Sequence, residues 1–94
     1  MNERIKEALR LLQEECAEVI VEVSKCERFG IDSVHYKTNL KHSTMLEDEI
    51  ADVLTLVDVL LEEGLITQER LDAGKVRKRV KLEKWSTLYV QKRT

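Results

Sequence analysis

Four carboxylates stand in two matched pairs in this sequence, Glu15-x-x-Glu18 and Glu49-x-x-Asp52. Residues three apart on an α-helix lie about 60° apart around its axis, so each pair turns both members to one side. Two antiparallel helices could then aim all four into one space, a hard oxygen donor set that suits Mg²⁺ or Mn²⁺. None of the four has a lysine or arginine at i±3 or i±4, whereas Glu14 has Arg10 and Glu22 has Lys25. On the helical wheel Asp52 falls between Leu56 and Val59, inside an apolar segment. Burying an unpaired carboxylate costs several kcal/mol unless it is neutralised, and a divalent ion would neutralise it. The alternative for a single E-x-x-E is a solvated helix flank; the doubling and the missing partners argue against it here. A di-iron bundle would need Glu-x-x-His; glutamate and aspartate fill those places, and neither histidine falls in a predicted helix.

Those pairs require helices to hold them. Ile5, Ala8, Leu9, Leu12, Cys16, Val19, Ile20 and Val23 recur every three or four residues. This predicts an amphipathic helix over roughly residues 2 to 27, with Asn2 as N-cap and Gly30 as a left-handed C-terminal cap. Residues 31 to 43 lack periodicity and are rich in turn formers, so they read as a loop, and long loops in small domains are often functional. Thr44 and Glu47 make a capping box that would open a second helix, running to about Glu63 and stopped by Gly64. Its centre, IADVLTLVDVLL, is apolar nearly all round and needs cover on most sides. A chain this short can hardly cover it alone, which predicts a homo-oligomer with this helix at the interface. Thr67 would cap a third helical region, which Gly74 weakens enough to leave two short helices open as an alternative to one. Asp48 is expected to favour the positive end of the second helix, Asp58 to bond across an interface, and Trp85 to pack on the last helix.

The totals agree with one all-α domain over residues 1–94: no proline, three glycines and few aromatics favour helix, and the length suits a single small core. A net charge of −2 gives no basic field for nucleic acid. The apolar runs are too short to span a bilayer, and the charged start MNERIKEALR reads as a helix rather than a signal peptide. Neither nucleic acid nor a membrane is therefore an expected partner, and a cytoplasmic setting is expected. Cys16 and Cys26 would lie about 15 Å apart along one helix, too far for a disulfide, and read as buried thiols without a metal or redox motif. Charge is segregated along the chain. Residues 44 to 66 carry Glu47, Asp48, Glu49, Asp52, Asp58, Glu62 and Glu63 with no lysine or arginine. From Arg70 onward come Lys75, Arg77, Lys78, Arg79, Lys81, Lys84, Lys92 and Arg93, against only Asp72 and Glu83. The two segments either complement each other or share an anionic ligand through cations.

Glu14-Glu15-x-x-Glu18, a spacer, then Glu49-x-x-Asp52 resembles the E-E-x-x-E, E-x-x-D pattern of the MazG-like all-α nucleoside triphosphate pyrophosphohydrolases. LLQEECAEVIVEVSKCERFG is similar to the family's first helix, LEDEIADVLTLVDVLL to its second, and Lys75, Lys78 and Arg79 to the basic cluster that follows. The resemblance runs from about residue 8 to 85, with a spacer, residues 19 to 48, longer than is usual. It implies a helical bundle forming dimers or tetramers, and Mg²⁺- or Mn²⁺-dependent cleavage between the α- and β-phosphates to a nucleoside monophosphate and pyrophosphate. By that resemblance Glu15, Glu18, Glu49 and Asp52 would ligate metal.

The chemistry is self-consistent. A triphosphate and four carboxylates are both anionic, so they can meet only through cations, which polarise phosphoryl oxygens and acidify water. Glu14 or Glu18 would accept the water's proton, and Lys75, Lys78 and Arg79 would share the charge of the leaving pyrophosphate. His35 and Asn39, with Tyr36 and His42 nearby in the loop, are candidates to contact base or ribose; no residue selects the base, although a purine nucleotide such as dGTP fits some phage relatives. The competing reading is a non-catalytic helical oligomerisation module whose acidic face binds a neighbour's basic segment.

Overall fold

The computed structural model describes residues 1–89, which form three helices: α1 (Glu3–Phe29), α2 (His42–Glu62) and α3 (Gln68–Trp85). Lys92 and Arg93, counted above with the basic segment, lie outside the described residues. Among the described residues there is no strand, only an isolated antiparallel bridge between Val34 and Lys41.

α1 begins as its sequence requires. Asn2 is extended and its side chain accepts the Ile5 N–H at 2.7 Å, satisfying one of the donors a helix start leaves open. At the other end the Gly30 N–H donates to the Cys26 carbonyl, and Gly30 takes φ 94° and ψ 145°. That is a positive φ but not the left-handed helical cap expected, and glycine reaches it without strain.

α1 and α2 form an antiparallel hairpin. The start of α1 is tied to the end of α2: Arg4 pairs with Glu62 at 3.2 Å and with Glu63, and Asn2 Nδ2 reaches Glu63 at 3.4 Å. At the opposite end the ring of Phe29 stacks on that of His42. The seam of α1 steps by three and four through Ile5, Ala8, Leu12, Glu15, Val19 and Glu22, all buried or half-buried. This shifts the expected apolar stripe. Cys16, read from sequence as a buried thiol, is exposed and Cys26 only half-buried; Ile20 is 70% exposed. The physical reason is that α1 has one neighbour. Its second apolar row, Cys16, Ile20 and Val23, points away from α2.

α2 starts two residues before the capping box. Lys41 is the N-cap and makes no side-chain cap bond. The open N–H groups of the first turn are taken by loop carbonyls instead: His42 donates to Ser33 at 3.0 Å and Ser43 to Ile31 at 3.0 Å. Thr44 is thus already helical and the Thr44–Glu47 box is not formed as expected. His42 belongs to α2 rather than to the loop, and Asp48 sits beyond the first turn, which holds no acid. The end of α2 follows the sequence. Gly64 (φ 73°) donates to Leu61 and Leu65 to Leu60, the pair of bonds of a Schellman cap.

α3 is one helix, Gly74 included, with Thr67 Oγ1 accepting the Arg70 N–H at 3.2 Å. It leans away from the hairpin, so the Cα envelope is a flat 46 × 45 × 15 Å. Between α2 and α3 a cleft of about 650 Å³ opens. Only Ile5, Ala8 and Leu60 are buried apolar side chains among the described residues. Trp85, expected to pack, is 77% exposed with the Lys84 ammonium 5.0 Å from its ring centre. Among the described residues no helix is long and apolar enough to cross a membrane.

Candidate metal centre

Midway along the hairpin, α1 supplies Glu15 and α2 supplies Glu49 and Asp52. One carboxylate oxygen from each lies within 4.8 Å of the other two. The antiparallel pairing and the three-residue step in α2 produce this: Glu15 occupies a seam position of α1, and Glu49 and Asp52 follow one another up the facing side of α2. Hard cations bind oxygen at about 2.0–2.6 Å, so a small inward movement of these side chains would let a single ion touch all three. The all-oxygen donor set suits Mg²⁺, Mn²⁺ or Ca²⁺. Glu15 and Asp52 also line a shallow hollow of about 290 Å³, with Leu11, Thr55 and Leu56, through which solvent reaches the trio.

The electrostatics are those of a site short of positive charge. Partial burial, and then the charges of Asp52, Glu15, Glu18 and Glu22, push the Glu49 carboxyl above its ordinary range. Among the described residues, the ion pairs involve Arg4, Lys6, Lys25 and Lys41, and none of them reaches Glu15, Glu18, Glu49 or Asp52. Asp52 is exposed, not enclosed as its place in the apolar segment suggested.

Glu18 lies close enough to act on Glu49 but is not one of the three converging residues, and it is exposed. Glu14 lies on the exposed flank of α1. Glu22, passed over in the sequence because Lys25 stands three residues on, is the most buried carboxylate of the group at 4% exposure. Lys25 Nζ approaches its Oε1 at 3.5 Å, but its Oε2 has no hydrogen-bond partner. The 15-18-22 step along α1 was the signal that could have revealed it.

Of the basic residues, Lys75 and Lys78 line the α2–α3 cleft with Leu54, Asp58 and Leu61. Those α2 positions lie more than about 90° around the helix from Glu49 and Leu56, so within one chain this cleft and the trio occupy different faces. Arg79 sits over the Tyr89 ring at 5.0 Å. In the connection, Asn39 takes φ 59° at a turn and its N–H donates to the His35 carbonyl at 2.8 Å. His35 lines a further cavity with Tyr36 and His42. Compared with known proteins, the chain matches no family model, no curated protein and no solved structure.

Proposed function

We propose that this chain is a divalent-cation-dependent (d)NTP pyrophosphohydrolase of the MazG-like, all-α kind, which cleaves between the α- and β-phosphates to give a (d)NMP and pyrophosphate. The observation that carries the reading is the convergence of Glu15, Glu49 and Asp52 from two antiparallel helices, without a basic partner among the described residues. A cation bound among them would relieve the repulsion that raises the Glu49 carboxyl. Mg²⁺ or Mn²⁺, when bound, would supply Lewis-acid polarisation of the phosphoryl oxygens and an acidified water.

The chain's own groups do the rest. Glu15, Glu49 and Asp52 hold the charge that attracts the ion, and Glu18, beside them, completes the donor set or accepts the proton of the attacking water. Glu14 is the alternative proton acceptor. Lys75, Lys78 and Arg79 neutralise the departing pyrophosphate. Since Lys75 and Lys78 face a different side of α2 from the trio in one chain, the reading places α3 of one copy over the carboxylates of another, in a dimer or tetramer. Leu54 at 57% and Val76 at 66% exposure support such cover, as does the charge segregation between α2 and α3. A nucleotide substrate places the activity in the cytoplasm.

The test is direct: incubation with all common NTPs and dNTPs in Mg²⁺ or Mn²⁺, with products separated by ion exchange. Monophosphate plus pyrophosphate is expected; diphosphate plus phosphate, or no turnover with any nucleotide, removes the proposal. The exposed apolar rows also favour a second reading, a non-catalytic oligomerisation module, which associates but turns over nothing and whose thermal stability ignores divalent ions.

A further inference from the structure

A cavity of about 410 Å³ lies where the end of α1 meets the 30–41 connection and the first turn of α2. Its walls are aromatic. The His42 ring stacks on Phe29 with centroids 5.5 Å apart and meets the edge of His35 at 5.9 Å, and His35 stacks on Tyr36 at 5.1 Å. Tyr36 is 84% exposed, a flat ring held in water at the cavity mouth. His42 is buried at 3% exposure, and its Nδ1 has no hydrogen-bond partner.

The charged side chains of this cavity are of one kind. Lys25, Arg28 and Ser33 line it together with the rings, and lysine and arginine can only donate. His35 Nδ1 accepts the Lys37 N–H at 3.1 Å, which leaves its Nε2 carrying hydrogen. No carboxylate or amide side chain is among the lining residues. The position is equally specific. Glu15, Glu18, Glu22, Lys25 and Phe29 step along α1 by three and four residues, so cavity and carboxylates share one helix face. From Glu18 to Lys25 the helix rises about 10 Å, a length that a nucleotide covers from its base through its sugar to its phosphates.

We propose that this cavity holds the base of the nucleotide, stacked on Tyr36 and His35, and that it selects bases presenting a carbonyl oxygen where adenine and cytosine present an amino group: guanine, thymine and uracil. This rests on the pyrophosphohydrolase reading for the placement of the phosphates, but not for the base preference. Guanidinium pairs with the carbonyl and N7 of guanine, while the amino group of adenine or cytosine gains nothing from Lys25 or Arg28, which cannot accept, and finds only the neutral hydroxyl and imidazole groups of Ser33, Tyr36 and His42. Discrimination of about tenfold or more follows from one such mismatch.

The experiment uses deoxynucleosides, which carry no phosphate, with the full chain in EDTA. Titrations with deoxyguanosine, thymidine, deoxyadenosine and deoxycytidine are followed by the ring-proton shifts of His35 and Tyr36. Deoxyguanosine and thymidine are expected to shift both rings and to bind about tenfold more tightly than the other two. Tyr36→Ala, at an exposed position that leaves the helices intact by circular dichroism, weakens binding about tenfold through lost stacking. Arg28→Gln, whose amide can also accept, narrows the gap between deoxyguanosine and deoxyadenosine. Equal affinity for all four nucleosides, or unchanged binding in Tyr36→Ala, overturns the proposal. The preference in EDTA with no pyrophosphate from any NTP keeps the cavity and removes the hydrolase; pyrophosphate released at equal rates from every base, with no ring shifts, does the reverse.

Discussion

Replacing Glu49 by glutamine should change the sign of an effect rather than its size alone. Two unit charges 4.8 Å apart repel by about 1 kcal/mol at the dielectric constant of water, and salt lowers this further. Glu49 faces two such neighbours, Glu15 and Asp52. Removing its charge in EDTA should therefore stabilise the fold by about 1 kcal/mol, with about 2 kcal/mol as a ceiling. For a domain of this size that raises Tm by about 4–8 °C per kcal/mol. With divalent ion the order reverses. An ion at one hundred times its Kd stabilises the native protein by about 2.7 kcal/mol, and Glu49→Gln forfeits most of it. Thermal denaturation at fixed protein concentration, in EDTA and then in millimolar Mn²⁺, reads both effects. The wild type should melt below the variant without ion and above it with ion. A variant that melts lower than wild type in EDTA, together with a wild type indifferent to Mn²⁺, would show that the three carboxylates are not held under mutual repulsion, and the metal centre would fall with that result.

The pH dependence follows from the same crowding. Glu49 is raised above its reference value of 4.5, so its contribution to metal-free stability is complete below that value and is lost as pH rises through the folded pKa; wild-type Tm in EDTA should climb on acidification across that window, and Glu49→Gln should lose this slope. Mn²⁺ affinity should move the opposite way, strengthening as pH rises and Glu49 gives up its proton, measurable by calorimetry at two or three pH values. Glu18→Gln should lower turnover by about 10²-fold or more while Mn²⁺ still binds Glu15, Glu49 and Asp52; near-normal turnover would take Glu18 out of the reaction. Lys78→Ala should raise KM for the triphosphate without changing the Mn²⁺-dependent rise in Tm, which separates phosphate binding from ion binding. Leu54→Asp should shift the sedimentation coefficient to that of a monomer, and an unchanged value would move the interface elsewhere.

Local chemistry was legible where a side chain acts on its own backbone. Asn2 and Thr67 cap as their sequences suggest, and Gly64 ends α2 because the turn needs a positive φ. The start of α2 was not legible, since its cap consists of the Ile31 and Ser33 carbonyls, and any residue type offers a carbonyl. The phase of α1 was misjudged for a related reason. Periodicity detects apolar positions, but the contact with α2 runs through Glu15 and Glu22, while Cys16 and Ile20 face outward. The carboxylate pairs were visible because their spacing is itself the geometry of a helix face. The unequal placement of Glu15 and Glu18 depends on how the two helices are rotated against each other, which no spacing within one helix encodes.

An envelope only 15 Å deep leaves no room inside a lone copy for a dry reaction chamber. On the proposed pyrophosphohydrolase reading, shielding an attacking water and a departing pyrophosphate from bulk solvent would fall to a second molecule. Catalytic rate per mole of protein should accordingly decline on dilution, on the same curve by which the assembly comes apart, and recover when molecular crowding or an inert cross-link holds the copies together.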